Sequence, residues 1–188
     1  MILVGFGASS MEGAGDSAGG FFHRLEGCDA IARYERRVNL GVGGNTTRDM
    51  LARAETAAVF VPRDIVVMLG CNDVPRKGDD SKDRRVPLAE YEINLRRILR
   101  QIKGEHSLFA SSFPVSSERT GVQEETLSLY MAAALSIAAD AGYETWDLYG
   151  ELVDCDPARY YAPDGLHFND AGHAMTASEL AKRISKWG

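Results

Sequence analysis

A chain of 188 residues with 45% hydrophobic and 26% charged side chains has the composition of a soluble globular protein, and its length suits one domain over 1–188. That length buries a full core without disulfides or a structural metal. A net charge of −6, with no dominant basic cluster, argues against a nucleic-acid partner; Arg84–Arg85 and the group Arg96, Arg97 and Arg100 read as solvated faces.

The three cysteines, Cys28, Cys71 and Cys155, are odd in number, widely spaced and free of any CxxC pattern, which argues against a disulfide framework and a zinc site. Met1 to Val4 is apolar but very short and lacks a basic leader, so it reads as a strand and not as a signal peptide. No stretch approaches the length that spans a membrane, and a cytoplasmic location is expected. Oligomeric state is not legible.

Apolar β-rich runs alternate with helical patterns along the chain. Ile2 to Phe6 predicts a short buried strand, Ala18 to Glu26 a helix, and Arg33 to Leu40 a second strand. Thr46 or Thr47 can cap a helix through about Thr56, with Asp49 in its acid-favouring first turn. Asp64 to Leu69 is a continuous apolar run, the signature of a strand buried on both faces. Val74 to Val86 is a charged loop, and Pro87 to Lys103 an amphipathic helix on Tyr91, Leu95, Ile98 and Ile102. Ser107 to Ser111 predicts a fourth strand, Val122 to Ala141 a long helix stopped at Gly142, and Tyr143 to Leu148 a fifth strand. Ala171 to Trp187 closes the chain as a helix with Asp170 as its expected N-cap. Five strands separated by helices imply a parallel sheet covered on both faces, with ligands bound outside the carboxyl ends of its strands.

Four segments follow strands and meet that rule: Gly7 to Gly13, Gly41 to Thr47, Gly70 to Asp73, and Asp164 to His167. Each alone has an ordinary explanation. The first lacks the lysine of a phosphate loop and the second glycine of a GxSxG elbow, where Met11 stands. The second begins like a dinucleotide fingerprint but carries Thr46 in place of the third glycine. The third could be a turn, since Asn and Asp favour turns. Two DxxH pairs compete in the last region. Asp170/His173 has a structural use at the start of the last helix, leaving His173 as a packing residue; Asp164/His167 lies in the loop before it and is the better catalytic candidate.

Together the segments supply one reaction. A serine nucleophile needs a base, the base needs an acceptor that sets its tautomer, and acyl transfer needs donors aimed at the oxyanion. Ser9 offers the nucleophile and a backbone N–H, Gly44 an unobstructed N–H, Asn72 a side-chain amide, and His167 with Asp164 the base and its orienter. No metal or cofactor is required. A parallel α/β module that only binds a small ligand is the non-enzymatic alternative.

The order Ser9, Gly44, Asn72, His167 resembles the SGNH/GDSL hydrolase family. Phe6-Gly-Ala-Ser9 with Gly13 is similar to its nucleophile block, Asn39 to Thr46 to its second block, Leu69 to Asp73 to its GxND block, and Asp164 to Asn169 with Gly172 to its terminal block. The family's aspartate before the serine is replaced by Ala8, and Ser10 stands next to the expected nucleophile. The resemblance implies a flavodoxin-like three-layer α/β/α fold with a five-stranded parallel sheet. It further implies hydrolysis of small carboxylic esters through an acyl-serine, with carbohydrate O-deacetylation or acyl transfer as related reactions on the same site. Without a lid-sized apolar insertion, short acyl groups in an open cleft are expected. Val74 to Val86 and Ser112 to Gly121 are expected to line that cleft, with Met11, Val74, Phe113 and Phe168 as apolar contacts.

Overall fold

The computed structural model describes residues 1–77 and 85–188. Its five strands are β1 (Ile2–Gly7), β2 (Arg36–Gly41), β3 (Arg63–Met68), β4 (Ser107–Ala110) and β5 (Glu144–Trp146). They form one parallel sheet in the order β2-β1-β3-β4-β5, the flavodoxin-like arrangement of a doubly wound α/β fold. The helices are α1 (Ser9–Glu12), α2 (Thr47–Ala52), α3 (Glu55–Ala58), α4 (Leu88–Ile102), α5 (Ser117–Thr120), α6 (Glu124–Asp140), α7 (Leu148–Leu152), α8 (Pro157–Tyr160) and α9 (Asp170–Ile184).

Alternation along the strands builds the three layers, because successive side chains leave a strand on opposite faces. Val4, Phe6, Ile65, Val67 and Phe109 pack against Tyr91, Leu95, Ile98 and Leu99 of α4 and Leu127, Met131 and Ala134 of α6. Their neighbours Leu3, Val66, Met68, Leu108 and Ala110 pack on the other face against Ala177, Leu180 and Ile184 of α9, together with Phe21, Phe22 and Leu25. Every residue of β3 is buried, as its unbroken apolar run requires.

Several expectations need correction. Ala18 to Glu26 is not an α-helix: only the 3₁₀ turn His23–Leu25 forms, because Gly19 and Gly20 take φ of +86° and +90°. Gly20 also packs so closely that a Cβ there would lie 2.3 Å from the Gly13 Cα. The helix expected from Thr46 to Thr56 is two short ones, α2 and α3. Thr46 does cap α2; its N–H and hydroxyl donate to the Asp49 carboxylate at 2.9 and 2.7 Å. The last helix is capped by Asn169, whose Oδ1 accepts from the Gly172 N–H at 3.0 Å, and not by Asp170. Asp170 instead accepts from the N–H and hydroxyl of Ser17 at 2.9 and 2.6 Å. Of the charged loop expected over Val74 to Val86, residues 78–84 lie outside the described residues.

The layered core sets a stability test. Leu95 is fully buried between α4 and the sheet. Leu95→Ala should lower the unfolding free energy by about 2–5 kcal/mol, read as a lower urea midpoint at unchanged slope. A loss below about 1 kcal/mol would place Leu95 outside the core.

Candidate active site

In a 2-1-3-4-5 sheet the chain leaves β1 toward β2, then returns to the other side of β1 for β3. The loops after these three strands therefore diverge around one crevice at their carboxyl ends. In register, Gly7 pairs with Gly41 on one side and Met68 on the other, so Ser9, Gly44 and Asn72 all emerge on one rim. Gly7 must be glycine there, since a Cβ would lie 2.3 Å from the Met68 carbonyl oxygen and 2.7 Å from the Met11 Cβ.

Ser9 is the first residue of α1, a position whose N–H has no acceptor within the helix. Its Oγ lies 3.1 Å from Nε2 of His167, and Nδ1 of His167 lies 2.7 Å from Oδ2 of Asp164. Since an ionised carboxylate only accepts, Nδ1 carries the proton and Nε2 is left to accept from the serine hydroxyl. Asp164 is itself fixed by a local turn, its Oδ1 accepting the N–H groups of Leu166 and His167 at 2.8 and 3.0 Å. Partial burial raises the affinity of the Asp164 carboxyl for a proton, but these backbone bonds and the His167 ring outweigh it and hold its pKa below the ordinary value. The loop is braced from behind, where the Ser116 N–H donates to the Gly165 carbonyl at 2.8 Å and the Arg119 guanidinium to that of Pro163. Ser10, the neighbouring hydroxyl, is buried.

Across the crevice, Val42 to Asn45 forms a turn closed by the Asn45 N–H on the Val42 carbonyl at 3.3 Å, with Gly44 at φ +76°. This accounts for the glycines that mimic a dinucleotide fingerprint. A Cβ at Gly41 would lie 2.1 Å from the Glu12 backbone N, and one at Gly43 would lie 2.7 Å from the Glu12 carboxylate. They let the loop lie against α1. The Asn72 amide donates one hydrogen to the Asn45 carbonyl at 2.9 Å, which leaves the other hydrogen for a ligand. Asp73, for which a turn was one reading, does lie in a turn, is buried, and anchors the start of α2, accepting from the Thr47 N–H and hydroxyl at 2.9 and 2.6 Å. Its signal was available: an acidic residue beside Asn72 and an orphan helix N-terminus at Thr47.

The four apolar contacts expected for a substrate are not at a surface. Met11 and Val74 are buried in opposite cores, and Phe113 and Phe168 stack on each other with centroids 3.7 Å apart. Apolar side chains after a strand were better used as core than as cleft lining. His173 is fully buried; its Nδ1 accepts from the Phe21 N–H at 3.1 Å and its Nε2–H donates to the Ala14 carbonyl at 3.0 Å. Burial lowers its pKa and favours this neutral form, which packs the loop after α1. A cavity of about 500 Å³ lies behind the Asp164 loop, walled by residues that include Val115, Leu127, Leu152 and Tyr161. Ser9 and His167 do not line it.

The sequence profile described as the GDSL-like Lipase/Acylhydrolase family matches residues 6–175. The chain belongs to this family. It is 29% identical over 157 residues to an acetylxylan esterase of Geobacillus stearothermophilus, covering 79% of this chain and 72% of that one. It is 25% identical over 180 residues to the human isoamyl acetate-hydrolyzing esterase 1 homolog, covering 84% and 72%. The crystal structure of the lipase/acylhydrolase from Enterococcus faecalis superimposes with a TM-score of 0.81 at 22% identity, covering 99% and 96% of the two chains. The chain is an SGNH-type ester hydrolase with the three-layer fold of that family. None of the helices among its described residues is long and apolar enough to cross a membrane.

Relative to the family's nucleophile block, this hydrolase has a buried methyl at Ala8 in place of a carboxylate, and the Ser9–His167–Asp164 distances form without it. Asp73 is a buried acid. Desolvation raises the Asp73 pKa to about 6, against the bonds from Thr47 that lower it. The folded state therefore holds this proton more tightly than the unfolded chain, whose carboxyl titrates near 3.8. Stability supplied by protonated Asp73 is present below about pH 4 and is lost as pH rises through about 6. An Asp73→Asn variant should gain on the wild type by on the order of 2–3 kcal/mol between pH 4 and pH 7, measured by denaturant unfolding at each pH. A pH-independent difference would refute the buried-acid assignment.

Proposed function

We propose that this hydrolase cleaves acetyl and other short-chain carboxylic esters through an acyl intermediate on Ser9. The observation that carries the reading is the unbroken bond path from Asp164 through His167 to the Ser9 hydroxyl, opposite the Gly44 turn and the half-used amide of Asn72.

In this mechanism Ser9 Oγ attacks the ester carbonyl carbon while Nε2 of His167 takes its proton. Asp164 holds the resulting imidazolium. Negative charge on the carbonyl oxygen is met by the N–H groups of Ser9 and Gly44 and the free amide hydrogen of Asn72. Collapse expels the alcohol, which receives the proton from His167. Water then gives a proton to the same nitrogen and attacks the acyl-serine; a second collapse releases the acid and restores the serine.

Two features support short acyl groups. Met11, Val74, Phe113 and Phe168, the apolar side chains expected to hold an acyl chain, are buried in the core instead. Both curated relatives named above are esterases whose names specify acetyl esters. A sugar acetate is the second reading, favoured by the acetylxylan esterase similarity. Turnover of p-nitrophenyl esters of increasing chain length, alongside acetylated xylose, tests both. The expected result is highest kcat/KM at two to four acyl carbons, and a preference for octanoate or longer would overturn the short-chain reading. Ser9→Ala should lose at least about 10⁴-fold in kcat while folding normally, and Asn72→Ala about 10²- to 10³-fold. Wild-type turnover in Ser9→Ala would remove Ser9 from the reaction.

A further inference from the structure

We propose that Arg53 is a positioning residue that holds the oxyanion donors in register with Ser9, an inference that rests on the Ser9 reading above. Arg53 follows α2 and reaches back under the rim. Its Nη2 donates to the Gly7 carbonyl at 2.7 Å, its Nη1 to the Leu40 carbonyl at 2.8 Å, and its Nε to Asn45 Oδ1 at 2.6 Å. The guanidinium lies 4.5 Å from the centroid of the Phe6 ring. Burial pushes its pKa below the ordinary value, partly opposed by the Asp49 charge. No ion pair with a carboxylate is present at Arg53 among the described residues. A half-buried cation is thus spent on three neutral oxygens, which a planar fork of fixed geometry can satisfy together and an ammonium cannot.

Those three oxygens belong to the segments that must agree in position. Gly7 ends β1 two residues before Ser9, and its carbonyl also accepts the Val42 N–H at 3.1 Å, the first residue of the Gly44 turn. Leu40 lies at the end of β2, immediately upstream of that turn. Asn45 closes the turn, and its own carbonyl takes one hydrogen of the Asn72 amide. One side chain therefore fixes the strand behind the nucleophile and both ends of the loop bearing Gly44. Through Asn45 it also fixes the rotation of Asn72. Displacements of about 1 Å in such groups cost about 10²-fold in rate.

The test compares Arg53→Lys, Arg53→Met and Asn45→Ala with wild type on p-nitrophenyl acetate, and measures inactivation by a fluorophosphonate ester. Circular dichroism and denaturant unfolding establish that each variant is folded. Asn45→Ala removes a single arm from a partly exposed loop, so it keeps the test meaningful where an Arg53 variant fails to fold. Expected is a fall in kcat of about 10- to 100-fold in folded Arg53 variants, with KM within about threefold and an equal slowing of phosphonylation. Lysine should not rescue, and Asn45→Ala should show a smaller loss that is not additive with Arg53→Met. Wild-type kcat in Arg53→Lys would show that charge, and not the fork, is what matters; wild-type kcat in Asn45→Ala would remove the link to the turn. Either result overturns the proposal. Phosphonylation of the wild type at a residue other than Ser9 would instead refute the Ser9 reading, and this inference would fall with it.

Discussion

The carboxyl end of β1 is the constraint on which the site depends. Gly7 is hydrogen-bonded into the sheet between β2 and β3, with no room for a side chain against Met68 and Met11. This close fit lets three successive loops open onto one rim. The carbonyl of Gly7 then serves twice, accepting from the Val42 N–H and from Arg53. Strand pairing of ordinary kind thereby sets where a serine, a glycine N–H and an asparagine amide meet. The fourth component, the Asp164–His167 turn, arrives from the far end of the sheet and is held by α9, the α5 region and the Gly15 backbone, where a Cβ would collide with the Phe168 carbonyl.

The division of labour around this rim follows from solvation. Asp164 and His167 keep some exposure and are oriented by short local bonds. Asp73 and His173, both buried, and the half-buried Arg53 hold backbone: the start of α2, the loop after α1, and the ends of β1 and β2. These three side chains are each matched by named partners, because an unmatched buried polar group would cost more than it contributes.

Much of this was legible in the sequence where the determining signal is local. The apolar run of β3, the helical spacing of Tyr91, Leu95, Ile98 and Ile102, and the four post-strand segments all rest on near neighbours. The strands and long helices accordingly fall within a few residues of expectation. Errors arose where distant packing decides. Gly19 and Gly20 open a run that otherwise reads as a helix, because Gly13 presses against Gly20. Asn169 and Asp170 are both good caps, and only the position of Ser17 assigns them. Met11, Val74 and Phe113 follow strands and Phe168 follows the Asp164–His167 turn, as cleft residues would, and nothing local separates that use from core packing. Arg53 carried no motif, since its partners lie 46, 13 and 8 residues away.

The central claim is that Ser9 carries the acyl group during ester cleavage. The most direct measurement is rapid acid quenching of the enzyme turning over p-nitrophenyl acetate, followed by peptide mass mapping. The account predicts one acetyl group per chain, on Ser9, abolished in Ser9→Ala and short-lived because water attacks it. An acetyl group on Ser10 or elsewhere, or turnover with no covalent adduct at any quench time, would contradict it.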